Sequence, residues 1–136
     1  VSGTGLEYFK RMVISQGGDW KAVEDGALPE ACRQLVWKAP REGYIYRLRA
    51  DGVGRAVSLL GAGRTHKDEE IDTAVGLVLD KKVGDYVQVG ESIATLHVNS
   101  ENNLDEVWSE LERALSISKK KISPPVLIYK AIDNGR

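Results

Sequence analysis

The chain has 136 residues, 42% of them hydrophobic, which is enough for one compact core and too few for two. Its 19 Lys and Arg against 20 Asp and Glu leave a net charge of -1, so the basic footprint of a nucleic-acid or anionic-membrane binder is missing. The one cysteine, Cys32, forms no internal disulfide and suits a reducing, cytoplasmic compartment, and no run reaches the roughly 18 apolar residues of a membrane-spanning helix.

The first residues, VSGTGLEYF, lack the basic flank and apolar stretch of a signal peptide, carry no initiator methionine, and read as the middle of something larger. Thr4 and Glu7 have capping-box spacing, and Leu6, Phe9, Met12 and Val13 recur at helical intervals until Gly17-Gly18 stops the helix. From Asp19 to Pro29 the pattern dissolves, so residues 1–29 are expected to be a helix and connector, with the main domain spanning 30–136. Leu35–Ala39 and Gly43–Leu48 read as strands joined by a turn at Pro40. Asp51 is placed to cap a helix with Val53, Ala56, Val57 and Leu60 on one face, ended by Gly61-Ala62-Gly63. The charged run RTHKDEEID, Arg64 to Asp72, has no apolar period and predicts a solvated loop.

Ala74 to Leu79 is continuously apolar, as in a strand covered on both faces, although length alone also permits a helix. Strands continue through Tyr86-Val87 and Ile93 to Val98. Asn103 with Glu106 offers a second cap for a helix whose stripe is Leu104, Val107, Trp108, Leu111 and Leu115, with Lys119 to Lys121 at its C-terminal end. Pro124-Pro125 forbids more helix, and Val126 to Ile132 predicts a terminal strand. Helices and strands mix without βαβ alternation, so the class is α+β.

Few residues offer chemistry. Leu60-Gly61-Ala62-Gly63-Arg64 follows a helix, whereas phosphate loops precede one, where free N–H groups and the positive dipole end lie. His66 and His97 have no third His or Cys to complete a zinc site. His97 alternates within a strand, while His66, beside Arg64 and Lys67, is the histidine suited to face a ligand. Asp68, Glu69, Glu70 and Asp72 read as solvating charges. Trp20, Trp37 and Trp108 read as packing anchors, since no basic groove accompanies them.

The ribbon KKVGDYVQVGESIATLHVN, Lys81 to Asn99, has two Gly-plus-acid turns, Gly84-Asp85 and Gly90-Glu91, in which glycine supplies a positive φ and the acid is expected to keep the turn solvated. It resembles the ribbon of biotinyl and lipoyl carrier domains, yet the position of their modified lysine falls on Ser100, whose hydroxyl cannot take the amide link.

From Trp37 onward the sequence also resembles the C-terminal domain of the pyrimidine-nucleoside phosphorylase family, which includes thymidine phosphorylase. The resemblance lies in Leu60-Gly61-Ala62-Gly63-Arg64, Ile71-Asp72 to Ala74-Val75-Gly76, Lys82-Val83-Gly84-Asp85 and the ending Leu96-His97-Val98-Asn99, in order and at family spacing. Phe9 to Asp19, with Gln16-Gly17-Gly18-Asp19, is similar to the family's approach to this domain.

The resemblance implies an α/β-hammerhead built on a barrel-sandwich ribbon. It also implies a complete, cytoplasmic, homodimeric pentosyltransferase of nucleoside salvage that cleaves pyrimidine nucleosides with inorganic phosphate to free base and sugar 1-phosphate. The family's phosphate and nucleoside sites lie between an all-α and an α/β domain, which are the expected partners upstream. Its Lys-His-Ser phosphate-binding stretch has no match here; Arg113, Ser116 and Lys119 have the types of its base-binding set but share one predicted helix at the wrong spacing. The expectation is a chain without catalytic residue, cofactor or metal, whose Gly63 to Asp72 loop, with Arg64, His66, Lys67, Asp68 and Asp72, faces the cleft. The alternative is a carrier or small-ligand binding module.

Overall fold

Aromatic and β-branched side chains concentrate in Arg33–Lys38 (β1) and Gly43–Leu48 (β2), and both are strands in the computed structural model, which describes residues 2–64, 67 and 70–132. Ala39, Pro40, Arg41 and Glu42 carry the chain between them, but the two strands do not pair with each other. β1 joins Gly76–Leu79 (β3) and Ser92–Val98 (β5) in a sheet of order β1-β5-β3, and β2 joins Tyr86–Val87 (β4) and Leu115–Ser118 (β6) in a sheet of order β4-β2-β6. Every pairing is antiparallel. The helices are Thr4–Ser15 (α1), Trp20–Glu24 (α2), Ala50–Val57 (α3), continued by a π-helical turn at Ser58–Ala62, and Leu104–Ala114 (α4). This is the α+β class that the element order predicts, with two sheets that do not close into a barrel.

Contacts divide the chain into two units, Val1–Glu30 and Ala31–Arg136. In the first, α1 ends in a Schellman turn: Gly17, at φ 79, donates to Ile14 O and Gly18 to Val13 O. Phe9 meets Trp20 edge-to-face at 5.9 Å between ring centroids. No described residue of this unit is buried.

In the second unit the core forms where side-chain period and sheet register agree. Leu35, Leu96 and Leu77 lie in one row across β1, β5 and β3, and Trp37, Ala94 and Leu79 in another. Trp37, Ile45, Val87, Ile93, Leu96 and Ile117 are buried from the strands, and Val107 and Leu111 from one face of α4. Burying each large side chain of this kind contributes about 1.5–3 kcal/mol. α3 lies against α4 through small residues: Gly52, Ala56 and Ala114 are all buried.

The ribbon's two turns share one construction. Asp85 N–H donates to Lys82 O at 3.1 Å and Glu91 N–H to Gln88 O at 3.1 Å, around Gly84 at φ 99 and Gly90 at φ 81. Each acid folds back on its own turn: Lys82 N–H donates to Asp85 Oδ2 and Gln88 N–H to Glu91 Oε2. The acids were expected to solvate the turns; they close them. Each turn then pairs with a chain outside the ribbon, Gly84 and Asp85 with Ile45, and Gly90 and Glu91 with Ala39.

Several local expectations are corrected. Thr4 is the first helical residue rather than the cap: Gly3, at φ 76, holds the N-cap position and Thr4 Oγ1 meets Ser2 Oγ instead. The stretch from Asp19 is not all connector, because Asp19 Oδ1 accepts from Lys21 and Ala22 N–H groups and starts α2. Asp51 lies inside the first turn of α3, paired with Arg49 and Arg55, and Arg49 holds the N-cap. Asn103 reaches its N-cap position at φ 64 but makes no side-chain cap bond. β3 is an edge strand with Val78 55% exposed, not a strand covered on both faces. Leu115 begins β6, so α4 stops at Ala114 and Lys119 to Lys121 follow a strand. The stretch Val126 to Ile132 forms no strand, and Leu127 is 93% exposed.

Candidate functional site

The predicted loop leaves the π-helical turn at Gly61 and returns at Asp72. Gly61 adopts φ 108, a left-handed conformation that an L side chain takes only with strain. Its carbonyl then accepts from Asp72 N–H at 2.9 Å, which closes the loop's base.

Asp72 is the center of that closure. Its Oδ1 accepts from Ala74 N–H at 2.9 Å, and its Oδ2 from Asn99 Nδ2 at 2.7 Å. Asn99 Oδ1 in turn accepts from Cys32 N–H at 2.7 Å. One asparagine at the end of β5 thus ties the loop's return to the segment entering β1. The Asn99 amide, followed by the Ala74 N–H, holds the Asp72 carboxyl below the ordinary carboxylate range, because both donors favour the ionised form. Engaged on both oxygens, the Asp72 carboxylate anchors the loop's return.

Arg64 and Lys67 are exposed, and no ion pair among the described residues includes them. His66 and Asp68 lie outside the described residues. Among the described residues of the loop candidates, Asp72 has a polar side-chain partner, Asn99, which the sequence offers merely as the last residue of a motif. Their separation of 27 positions leaves no local signal for the pairing.

Other charged groups are also engaged. Asp51, Arg49, Arg55 and Arg113, all exposed, form a network between α3 and α4 with the half-buried Glu110. Its neighbouring guanidiniums, Arg49 first, hold Asp51 well below the usual carboxylate range, and Arg55 chiefly lowers Glu110. Arg113, Ser116 and Lys119 do not share a helix as expected: Arg113 is on α4, Ser116 on β6, and Lys119 beyond it. His97 sits on β5 opposite Gln34 and Gly76. Among the described residues no group of three or more His, Cys, Asp or Glu is arranged to hold a metal ion, and no helix is long and apolar enough to cross a membrane.

An open groove of about 480 Å³ is lined by Trp37, Lys38, Arg41, Trp108, Glu112 and Ile117 among others. Arg41 Nη2 donates to Ile117 O at 3.0 Å, which fixes the guanidinium on the groove wall. Trp37 is a core anchor, as expected, while Trp108 is only partly buried. Ser100, where a carrier would have its lysine, accepts from Asn102 N–H with its hydroxyl. The carrier alternative is not supported.

Comparison with known proteins places this domain more narrowly. The family model described as pyrimidine nucleoside phosphorylase C-terminal domain matches residues 44–118, from β2 through β6. The curated pyrimidine-nucleoside phosphorylases of Staphylococcus aureus strains USA300 and NCTC 8325 / PS 47 are each 42% identical over 132 residues, 96% of this chain. The match spans 30% of each relative's length.

Proposed function

Because the chain belongs to the pyrimidine nucleoside phosphorylase C-terminal domain family, we propose that it completes an enzyme that performs reversible phosphorolysis of pyrimidine nucleosides. In that reaction inorganic phosphate displaces the base from the sugar, the N-glycosidic bond breaks, and free base and sugar 1-phosphate result. The observation that carries this reading is the coincidence of a family match over residues 44–118 with 42% identity to named phosphorylases over 96% of the chain. The chain's own contribution is structural. Asp72, Glu91, Asp51 and Glu110 are each engaged by a hydrogen bond or ion pair within the domain, which supports a scaffold role over acid–base work. The nucleoside and phosphate sites belong, on this reading, to upstream α and α/β domains of a cytoplasmic homodimer.

The Gly63 to Asp72 loop is the segment proposed to face that cleft, with Arg64 and Lys67 as its exposed cations and Asp72 as its anchor. The test joins the upstream part of the Staphylococcus aureus relative to this chain and follows phosphate-dependent cleavage of thymidine and uridine. The chain alone is expected to be inactive and the fusion active. Turnover by the chain alone, or a folded fusion without activity, would overturn the proposal. Arg64→Ala with Lys67→Ala in the active fusion is expected to change kcat or KM, and unchanged kinetics would remove the loop from the cleft.

A further inference from the structure

We propose that Asn99 is a positioning residue for the phosphorolysis reaction, acting through Asp72 to set how the segment from Gly61 to Asp72 presents Arg64 and Lys67; this rests on the phosphorylase reading. The two limbs of that segment are held by different means. On the outgoing limb, Ser58 Oγ donates to Gly54 O at 3.0 Å, and a Cβ added at Gly63 would lie 2.5 Å from that oxygen. The backbone therefore packs directly on the helix end one residue before Arg64, and close contact fixes this limb. The returning limb depends on hydrogen bonds instead. Asp72 N–H reaches Gly61 O at 2.9 Å, and the Asp72 carboxylate accepts from Ala74 N–H and Asn99 Nδ2. Ala74 is two positions along and travels with the limb, whereas Asn99 is 27 positions away and ties the limb to the end of β5.

The Asn99 amide fits its two neighbours in one orientation. Arg33 pairs with Val98 at the end of the β1–β5 ladder, so Cys32 and Asn99 come next, and there the Asn99 side chain receives the Cys32 N–H at 2.7 Å. Oδ1 is thereby occupied by a donor, and Nδ2 is turned to the Asp72 carboxylate at 2.7 Å. The reversed amide would set its NH2 against an N–H and its oxygen against a carboxylate, so one arrangement satisfies both ends. Asn99 is also the first cause that lowers the Asp72 carboxyl. Asn99 is exposed and Asp72 half-buried, so the pair adds nothing to the apolar core and instead decides where the limb lies. The exposed Arg64 and Lys67 stand between the two fixed limbs, and a shift of the return changes what they can reach.

The test exchanges the two side chains. Asn99→Asp keeps the shape and the acceptor for Cys32 N–H but faces Asp72 with a second carboxylate. Adding Asp72→Asn restores a donor between them, and the new amide oxygen still accepts from Ala74 N–H. In the isolated chain, amide exchange at residue 72 is expected to quicken about tenfold in Asn99→Asp and to return to the parent rate in the swapped pair. In the fusion carrying the upstream part of the Staphylococcus aureus relative, Asn99→Asp is expected to raise KM for phosphate or nucleoside about fivefold, and the swap to restore it. The unfolding midpoint of the Ala31–Arg136 unit should hardly move, which separates positioning from a loss of folded protein. Ser100→Ala, one residue along, should change none of these readings. Exchange at residue 72 that ignores Asn99→Asp would overturn the clasp, and so would a KM defect that the swap does not repair. A folded parent fusion without turnover overturns the phosphorylase reading itself, whereas an active parent whose KM values ignore Asn99→Asp overturns this inference alone.

Discussion

Replacing Gly52 by alanine should destabilise the domain, although the same change at Gly54, two residues along α3, should stabilise it. Gly-to-Ala within a helix ordinarily gains about 0.5–1 kcal/mol, because alanine loses less backbone freedom on folding. At Gly52 an added Cβ would lie 2.8 Å from Ala114 Cβ and 3.5 Å from Ala114 Cα, a backbone-bound obstacle that no rotamer change can clear. α3 and α4 would have to separate, and overpacking of this kind costs about 1–3 kcal/mol. The clash outweighs the propensity gain, leaving a net loss of about 1 kcal/mol. Gly54 has nothing within 4 Å of its added Cβ and keeps the whole gain. Urea and thermal unfolding followed by circular dichroism should place the variants on opposite sides of the parent, with a shift of about 4 °C or more per kcal/mol for a domain of this size. A Gly52→Ala variant as stable as the parent would refute the reasoning, because the close approach of α3 and α4 would then not depend on a missing Cβ.

The ribbon supports a similar comparison. Gly84→Ala and Gly90→Ala both impose left-handed strain of about 1–2 kcal/mol, but only the former brings a Cβ within 2.9 Å of the Pro124 backbone, so it should lower the urea midpoint further. Leu111→Ala, at a fully buried position of α4, should cost about 2–5 kcal/mol by chemical denaturation. Lys81, then the Gln88 N–H, holds the Glu91 carboxyl below its ordinary value. Because that folded-state value is depressed, the stabilisation is present above the ordinary carboxylate range and is lost as pH falls through the folded value. Glu91→Gln should therefore flatten the acid side of the midpoint-versus-pH curve, and an unchanged slope would show that the Lys81 pair contributes nothing.

What the sequence made legible is what local physics decides. Gly84 and Gly90 were placed at positive φ because two-strand turns need a conformation that other residues resist, and both adopt it. Val107 and Leu111 were placed in a core stripe by helical spacing alone, and both are fully buried. β6 escaped for the same reason that α4 was found: Leu115 continues the stripe of Leu104, Val107, Trp108 and Leu111, so periodicity extends the helix. What stops it is pairing of Leu115 with Leu48 and Ile117 with Ile45, contacts with no trace in the local pattern. The two capping boxes failed in the opposite direction. Spacing permits the reciprocal bonds, but at α1 Gly3 takes the cap position and at α4 the Asn103 side chain stays out of the cap.

The candidate loop repeats this division between local and distant. Its charges were legible and read as solvation, which the exposure of Arg64 and Lys67 matches. The place of Asp72 was legible only as one more acid in a run. Its role depends on Asn99 and, through it, on Cys32, so three separated segments define a single carboxylate. Residues of one type within one run thus divide by partner: a charge whose oxygens are taken by fixed donors shapes the loop, and a charge without such donors is left to meet whatever the loop faces.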